Sequence, residues 1–250
     1  PIYMLLPQYS VQRARFLATA ESKGAVMTSY PHPLPGPQGE NLYTDVARVG
    51  PVTASRLMLV VSGTHGVEGY YGSDCQIAWL DTLDEKALPA DTAVLLIHLL
   101  NPWGAAHLRR VNEDNIDLNR NFIDFNQPVP ANPDYANWHG IYHGDRYSAD
   151  RQLAEALGNV GWQALKPVVE AGQYAAAEGF FFGGHQPSWS YHTMAAIIDQ
   201  HLRAAKTIIS FDLHTGDGAW GHPMLLSIAE QRYVAHDWGK AIYGEWLTLL

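Results

Sequence analysis

The sequence predicts an α/β protein: a single three-layer domain with a mixed, mostly parallel sheet and helices on both faces. Three observations predict this. Short, mainly apolar runs recur at Leu57–Val61, Thr92–Leu99 and Thr207–Phe211, as expected of buried strands. Longer stretches with helical spacing separate them, which is the pattern of strands joined through crossover helices. The 250 residues are 47% hydrophobic and 16% charged, a globular composition with enough chain to bury a large core.

Residues 11–24 carry Val11, Ala14, Phe16, Leu17 and Ala20 near helical spacing, with Gly24 as the stop. The Pro- and Gly-rich stretch 31–39 reads as a loop. Leu42–Val49 reads as a first strand, Leu57–Val61 as a buried strand entering the turn Ser62-Gly63-Thr64, and residues 70–83 as a helix. Thr92–Leu99 is a second buried strand, closed by Asn101-Pro102. Residues 124–145 lack clean periodicity and read as a long excursion. Helices are predicted over 149–173 and 191–204, strands over Thr207–Phe211 and Pro223–Ile228, and a helix over Ala229–Leu250. There is no internal repeat.

The composition excludes several classes of function. The net charge of −9 opposes non-specific binding to nucleic acid or to anionic membranes. No apolar run approaches the length of a transmembrane helix, and no signal-peptide pattern opens the chain. Cys75 is the one cysteine, so no intrachain disulfide forms, which agrees with a cytoplasmic location.

Chemistry concentrates in three segments. The first is Ser62-Gly63-Thr64-His65-Gly66-Val67-Glu68-Gly69, directly after a buried strand. Ligands of open α/β sheets gather beyond the carboxyl ends of strands, and the glycines let His65 and Glu68 turn toward one point. The same pattern also fits an ordinary strand-to-helix turn with a carboxylate near the helix dipole. The second segment, Ser210-Phe211-Asp212-Leu213-His214-Thr215-Gly216, again ends a strand. Taken alone, His214 reads equally as a hydrogen-bonded structural residue. Taken with the first segment it completes two His and one Glu, a set that leaves a zinc coordination position open to water. The third comprises Asn101-Pro102-Trp103-Gly104, Arg109-Arg110 and Asp117-Leu118-Asn119-Arg120-Asn121-Phe122. Its arginines read either as solvated charges or as carboxylate and oxyanion donors, since guanidinium binds carboxylates bidentately.

His65-x-x-Glu68, Asn101-Pro102-x-Gly104, Asp117-x-Asn119-Arg120-Asn121-Phe122 and Asp212-Leu213-His214-Thr215, in this order across residues 56–228, resemble the zinc carboxypeptidase superfamily, which includes the aspartoacylase and succinylglutamate desuccinylase branch. The resemblance is nearest to an uncharacterised bacterial branch. It implies a mixed eight-stranded sheet and one zinc ion held by His65, Glu68 and His214. It further implies that Asp117 orients His65, with Asp212 as a second outer carboxylate. Asn119 and Arg120 would grip a substrate carboxylate, and Arg110, with Arg109 as the alternative, would stabilise the oxyanion.

The implied activity is hydrolysis of an amide or peptide bond beside a free carboxylate, on a small peptide. The alternatives are a deacylase or amidase of small N-acyl amino acids and a non-catalytic metal- or peptide-binding domain. One departure stands out. The superfamily's general base is a downstream glutamate on a later strand, whereas Glu230 and Glu245, the glutamates after His214, fall in the predicted terminal helix. The base is therefore expected beyond Leu250, in a C-terminal part that the sequence lacks.

Overall fold

The structure, a computed structural model, describes residues 8–84, 88–137, 139, 151–152, 154–155, 158–159, 161–216, 218–228 and 235–249. The chain divides into two compact units, Pro1–His214 and Thr215–Leu250.

The first unit is built on a five-stranded sheet of β1 (Val26–Pro31), β2 (Tyr43–Val49), β3 (Arg56–Ser62), β4 (Thr92–His98) and β5 (Thr207–Leu213), in the spatial order β1-β2-β4-β3-β5. β1–β2 and β2–β4 pair antiparallel, while β4–β3 and β3–β5 pair parallel. The sheet is thus mixed, with its pairings evenly divided. β1 is the strand that sequence periodicity does not reveal. It lies at the sheet edge with no fully buried residue, so no apolar alternation marks it.

Helices cover both faces, giving three layers. α1 (Tyr9–Ser22) and α2 (Gly69–Thr82) bring Phe16, Ala20, Ile77 and Leu80 against Ala47, Val49, Val94 and Leu96. On the other face Leu57, Leu59, Val61, Leu95 and Ile97 pack with Ile197 of α6 (Trp189–His201) and with Leu118. Alternate residues of β4 feed opposite cores, which is why that strand reads as one unbroken apolar run. Each such buried side chain stabilises the fold by about 1.5–3 kcal/mol. In α1 the buried stripe is Tyr9, Gln12, Phe16 and Ala20. Val11, expected on that face, is exposed, because Tyr9 and Gln12 take the inward positions through hydrogen bonds to the Tyr43 backbone and to Ser73.

The unit also contains the short helices α3 (Pro102–Ala106), α4 (Leu118–Asn121) and α5 (Trp162–Glu170). α5 is what the structure describes as continuous helix within the expected 149–173. Residues 138 and 140–150, which hold the end of the expected excursion and the start of that expected helix, lie outside the described residues.

In the second unit, β6 (Leu225–Ser227) pairs parallel with β7 (Leu247–Leu249). Between them runs α7 (His236–Tyr243), ended by Gly244 at φ 57°. The expected helix over Ala229–Leu250 is therefore corrected. Gly244 takes a left-handed conformation that stops the helix, and the following residues form a 3-10 turn and a strand. The eight strands implied by the resemblance are, among the described residues, five in one sheet and two in another.

Candidate active site

β3 and β5 are parallel neighbours, with Val61 opposite Asp212 and Ser62 opposite Leu213. Their carboxyl ends open side by side, so the His65–Glu68 turn and the Asp212–His214 segment emerge at the same edge of the sheet. Two glycines shape the turn. Gly63 adopts φ 72°, and a Cβ there would stand 2.9 Å from the Leu99 Cα. A Cβ on Gly66 would sit 2.2 Å from the carbonyl carbon of Gly104, so this turn packs directly on α3. Asn101 caps α3 by accepting the Gly104 N–H at 2.8 Å, which gives the Asn101-Pro102-x-Gly104 motif a structural reason. The Gly66 and Val67 amides donate to the Arg110 and Arg109 carbonyls at 3.1 and 3.0 Å, drawing the arginine segment alongside the turn.

His65, Glu68 and His214 come together here. The two imidazole rings lie 4.9 Å apart, edge to face, and Glu68 Oε2 is 3.9 Å from His214 Nδ1. His214 Nε2 is 2.9 Å from Asp212 Oδ2, and both Asp212 oxygens accept from the Thr64 hydroxyl at 2.8–2.9 Å. Thr64 is thus a site residue that the sequence reading missed; a lone threonine in a glycine-rich turn carries no distinguishing signal. Arg110 bridges two carboxylates, donating to Glu68 Oε1 at 3.3 Å and to Asp117 Oδ2 at 3.1 Å. Arg109 instead reaches out to Asn115 at 3.4 Å, so Arg110 is the arginine at the cluster.

Asp117 lies 3.7 Å from His65 Nδ1, beyond hydrogen-bond range. It is fully buried and caps α4 by accepting the Asn119 amide at 3.0 Å. The Asn119 carboxamide faces His65 Nε2 at 3.2 Å. Leu118–Asn121 form a single helical turn, so the chain bends at Arg120. Arg120 donates to the carbonyls of Glu170 and Asn119 and lies over the Phe181 ring. Asn121 is structural: it is buried and bonded to the Gly183, Gln186 and Ser188 backbone.

Burial pushes the His65 pKa down to about 4, against the opposing pull of Asp117, so this imidazole is neutral at physiological pH. Burial would also lower His214, but the hydrogen bond and charge of Asp212, aided by Glu68, raise it above the ordinary histidine value. Neutral imidazole is the ligating form.

The donor set fits a zinc ion in its chemistry: two imidazoles and a carboxylate, with His65 Nδ1 buried and without a hydrogen-bond partner. Among the described residues no three His, Cys, Asp or Glu side chains stand close enough to hold a metal as placed. Two donors on one tetrahedral zinc lie roughly 3.4 Å apart, so the 3.9 Å between Glu68 and His214 exceeds this by about half an ångström. Glu68 is paired with Arg110 at 3.3 Å. Glu245 lies in the second unit, exposed and paired with Lys240 at 3.7 Å, and Glu230 lies outside the described residues.

This arrangement is the α/β fold of the zinc carboxypeptidases. Bovine thrombin-activatable fibrinolysis inhibitor, in complex with tick carboxypeptidase inhibitor, matches with a TM-score of 0.54 at 13% identity, over 97% of this chain and 71% of its own. Another structure of thrombin-activatable fibrinolysis inhibitor matches with a TM-score of 0.51 at 12% identity, over 94% of this chain and 53% of its own. Carboxypeptidase A from Helicoverpa armigera has a TM-score of 0.49 at 15% identity, over 89% and 47% of the two chains. The chain belongs to the DUF2817 family, described as a protein of unknown function, which matches residues 6–249. No curated protein matches it. Among the described residues no helix is long and apolar enough to cross a membrane.

Proposed function

We propose that this chain is a zinc-dependent hydrolase that cleaves an amide or peptide bond next to a free carboxylate, on small peptides or N-acyl amino acids. The observation that carries the reading is the meeting of His65, Glu68 and His214 at two adjacent parallel strand ends, with Arg110 on Glu68 and Asn119 on His65. His65, Glu68 and His214 would hold one zinc ion. When bound, such an ion lowers the pKa of a coordinated water and polarises a carbonyl.

The remaining work belongs to the chain itself. Asp212, fixed by Thr64, holds the Nε2 side of His214 and so presents Nδ1 toward Glu68, and outer carboxylates of this kind set tautomer and basicity. Arg110 offers a guanidinium at the point where negative charge develops on the scissile oxygen. Asn119 and Arg120 bind the substrate carboxylate and so align the bond to be broken. The general base remains the downstream glutamate that the resemblance implies.

The test is hydrolysis of a panel of dipeptides and N-acyl amino acids by the zinc-loaded protein, with and without a chelator, beside amidated versions lacking the carboxylate. Chelator-sensitive cleavage of the free acids and little cleavage of the amides is expected. Hydrolysis that survives chelation, or equal hydrolysis of acids and amides, would contradict the reading.

A further inference from the structure

Both arginines of the site lie against Phe181. Arg110 Cζ lies 5.1 Å from its ring centroid and Arg120 Cζ lies 5.6 Å from the same centroid. Both distances fall within the roughly 6 Å over which an aromatic face attracts a guanidinium. Two guanidinium groups this close to one point repel each other, and a shared ring offsets that repulsion while fixing both.

The chain delivers this ring by an unusual backbone. Phe181 has φ 51°, a left-handed conformation that a bulky L-residue keeps only where its surroundings enforce it. The enforcement is visible. The Gln173 amide donates to the Phe181 carbonyl at 3.1 Å, and the Gly183 amide returns a bond to the Gln173 carbonyl at 2.9 Å. Tyr135 Oη accepts the Phe180 N–H at 2.7 Å, and the Phe182 carbonyl accepts the Asp117 N–H at 2.8 Å. The Tyr174 hydroxyl donates to the Arg120 carbonyl. Of three consecutive phenylalanines, Phe182 enters the core, Phe180 is 51% exposed, and Phe181 turns to the arginines.

We infer that Phe181 is a positioning residue whose ring sets the separation of Arg110 and Arg120, so that one substrate meets the oxyanion-side and the carboxylate-side arginine together. This rests on the hydrolase reading above and adds to it the element that couples its two anion contacts. The arginines depend on the ring unequally. Arg110 keeps Glu68 and Asp117 as partners, whereas the hydrogen bonds of Arg120 go to backbone carbonyls. Losing the ring therefore frees Arg120 more, and recognition of the substrate carboxylate suffers first.

The experiment compares wild type, Phe181→Leu, Phe181→Gly, Phe181→Tyr and Arg120→Ala in the zinc-loaded full chain, with melting temperature as the control for folding. N-acetylalanine and N-acetylalaninamide, which differ in the carboxylate, are titrated by NMR, and the Arg110 and Arg120 Nε–Hε signals are followed. Wild type should prefer the acid. Phe181→Leu and Phe181→Gly should lose about tenfold of that preference, equivalent to about 1.4 kcal/mol, and both arginine signals should move downfield as the ring current disappears. Phe181→Tyr should restore preference and shifts. Glycine removes the backbone strain together with the ring, so a Phe181→Gly protein with wild-type preference would overturn the inference. The inference also fails if Phe181→Leu matches wild type while Arg120→Ala loses the preference, and the carboxylate anchor itself then stands. No acid preference in wild type would remove both the anchor and the inference.

Discussion

Replacing Asp212 with asparagine tests whether the outer carboxylate does what its geometry implies. Asp212 Oδ2 is 2.9 Å from His214 Nε2, and Thr64 holds the carboxylate from its other side. A hydrogen bond between charged partners contributes about 1.5–3 kcal/mol. His214 and Asp212 are 32% and 39% exposed, so solvent screening brings the value to roughly 1–1.5 kcal/mol, or about five- to twelvefold in zinc affinity. That lies at the lower end of the range for outer-sphere partners of metal-bound histidines. The same change should lower the His214 pKa, because Asp212 is what outweighs burial there. Zinc affinity is read by competition with a chromophoric chelator at about pH 8.5, where protons compete little for imidazole, and the His214 pKa is read by NMR in metal-free protein. Unchanged zinc affinity together with an unchanged His214 pKa would refute the reasoning.

Arg120→Ala should reduce kcat/KM on carboxylate-bearing substrates about tenfold or more with metal content unchanged; equal activity on every such substrate removes Arg120 from the site. Gly66→Ala places a methyl group against the Gly104 backbone at 2.2 Å and should cost about 1–3 kcal/mol or more, seen as a lower urea midpoint and weaker zinc binding. His98 is fully buried, stacked on Phe16 with ring centroids 4.1 Å apart, and burial lowers its pKa to about 3. The unfolded chain therefore binds the extra proton between pH 6.5 and 3. This contribution to stability is complete above pH 6.5 and falls by about 1.4 kcal/mol per pH unit on acidification. Urea titrations from pH 7 to pH 4 should show a shallower slope in His98→Phe than in wild type, and identical slopes would contradict the assignment.

The interior of the sheet was legible because burial on both faces leaves an unmistakable apolar run, as in Leu57–Val61 and Thr92–Leu99. At the two edges the pattern fails in both directions: β1 is Val-Met-Thr-Ser-Tyr-Pro with exposed and half-buried positions and no apolar run, whereas Thr207–Phe211, expected to be buried, lies in β5, which is exposed along most of its length. The C-terminal helix was overextended because apolar spacing alone does not report that Gly244 turns left-handed. In the site, His65, Glu68 and His214, which the structure brings together, follow apolar runs of the sequence. Residues 117–122 carry no period of their own, and the Asp117 cap that winds them into a helical turn is visible in the structure and not in the spacing. Phe180, Phe181 and Phe182 are alike in type, and the positive φ that accompanies the turn of Phe181 to the arginines is not written in the sequence.

The proposed zinc-dependent hydrolysis requires that His65, Glu68 and His214 hold one zinc ion. The most direct measurement is zinc content of the purified protein together with anomalous diffraction at the zinc edge. One zinc per chain is expected, with a peak about 2.0–2.2 Å from donor atoms of all three residues, and loss of that zinc in His65→Ala. Full zinc content in His65→Ala, or a peak bound to other residues, would contradict it.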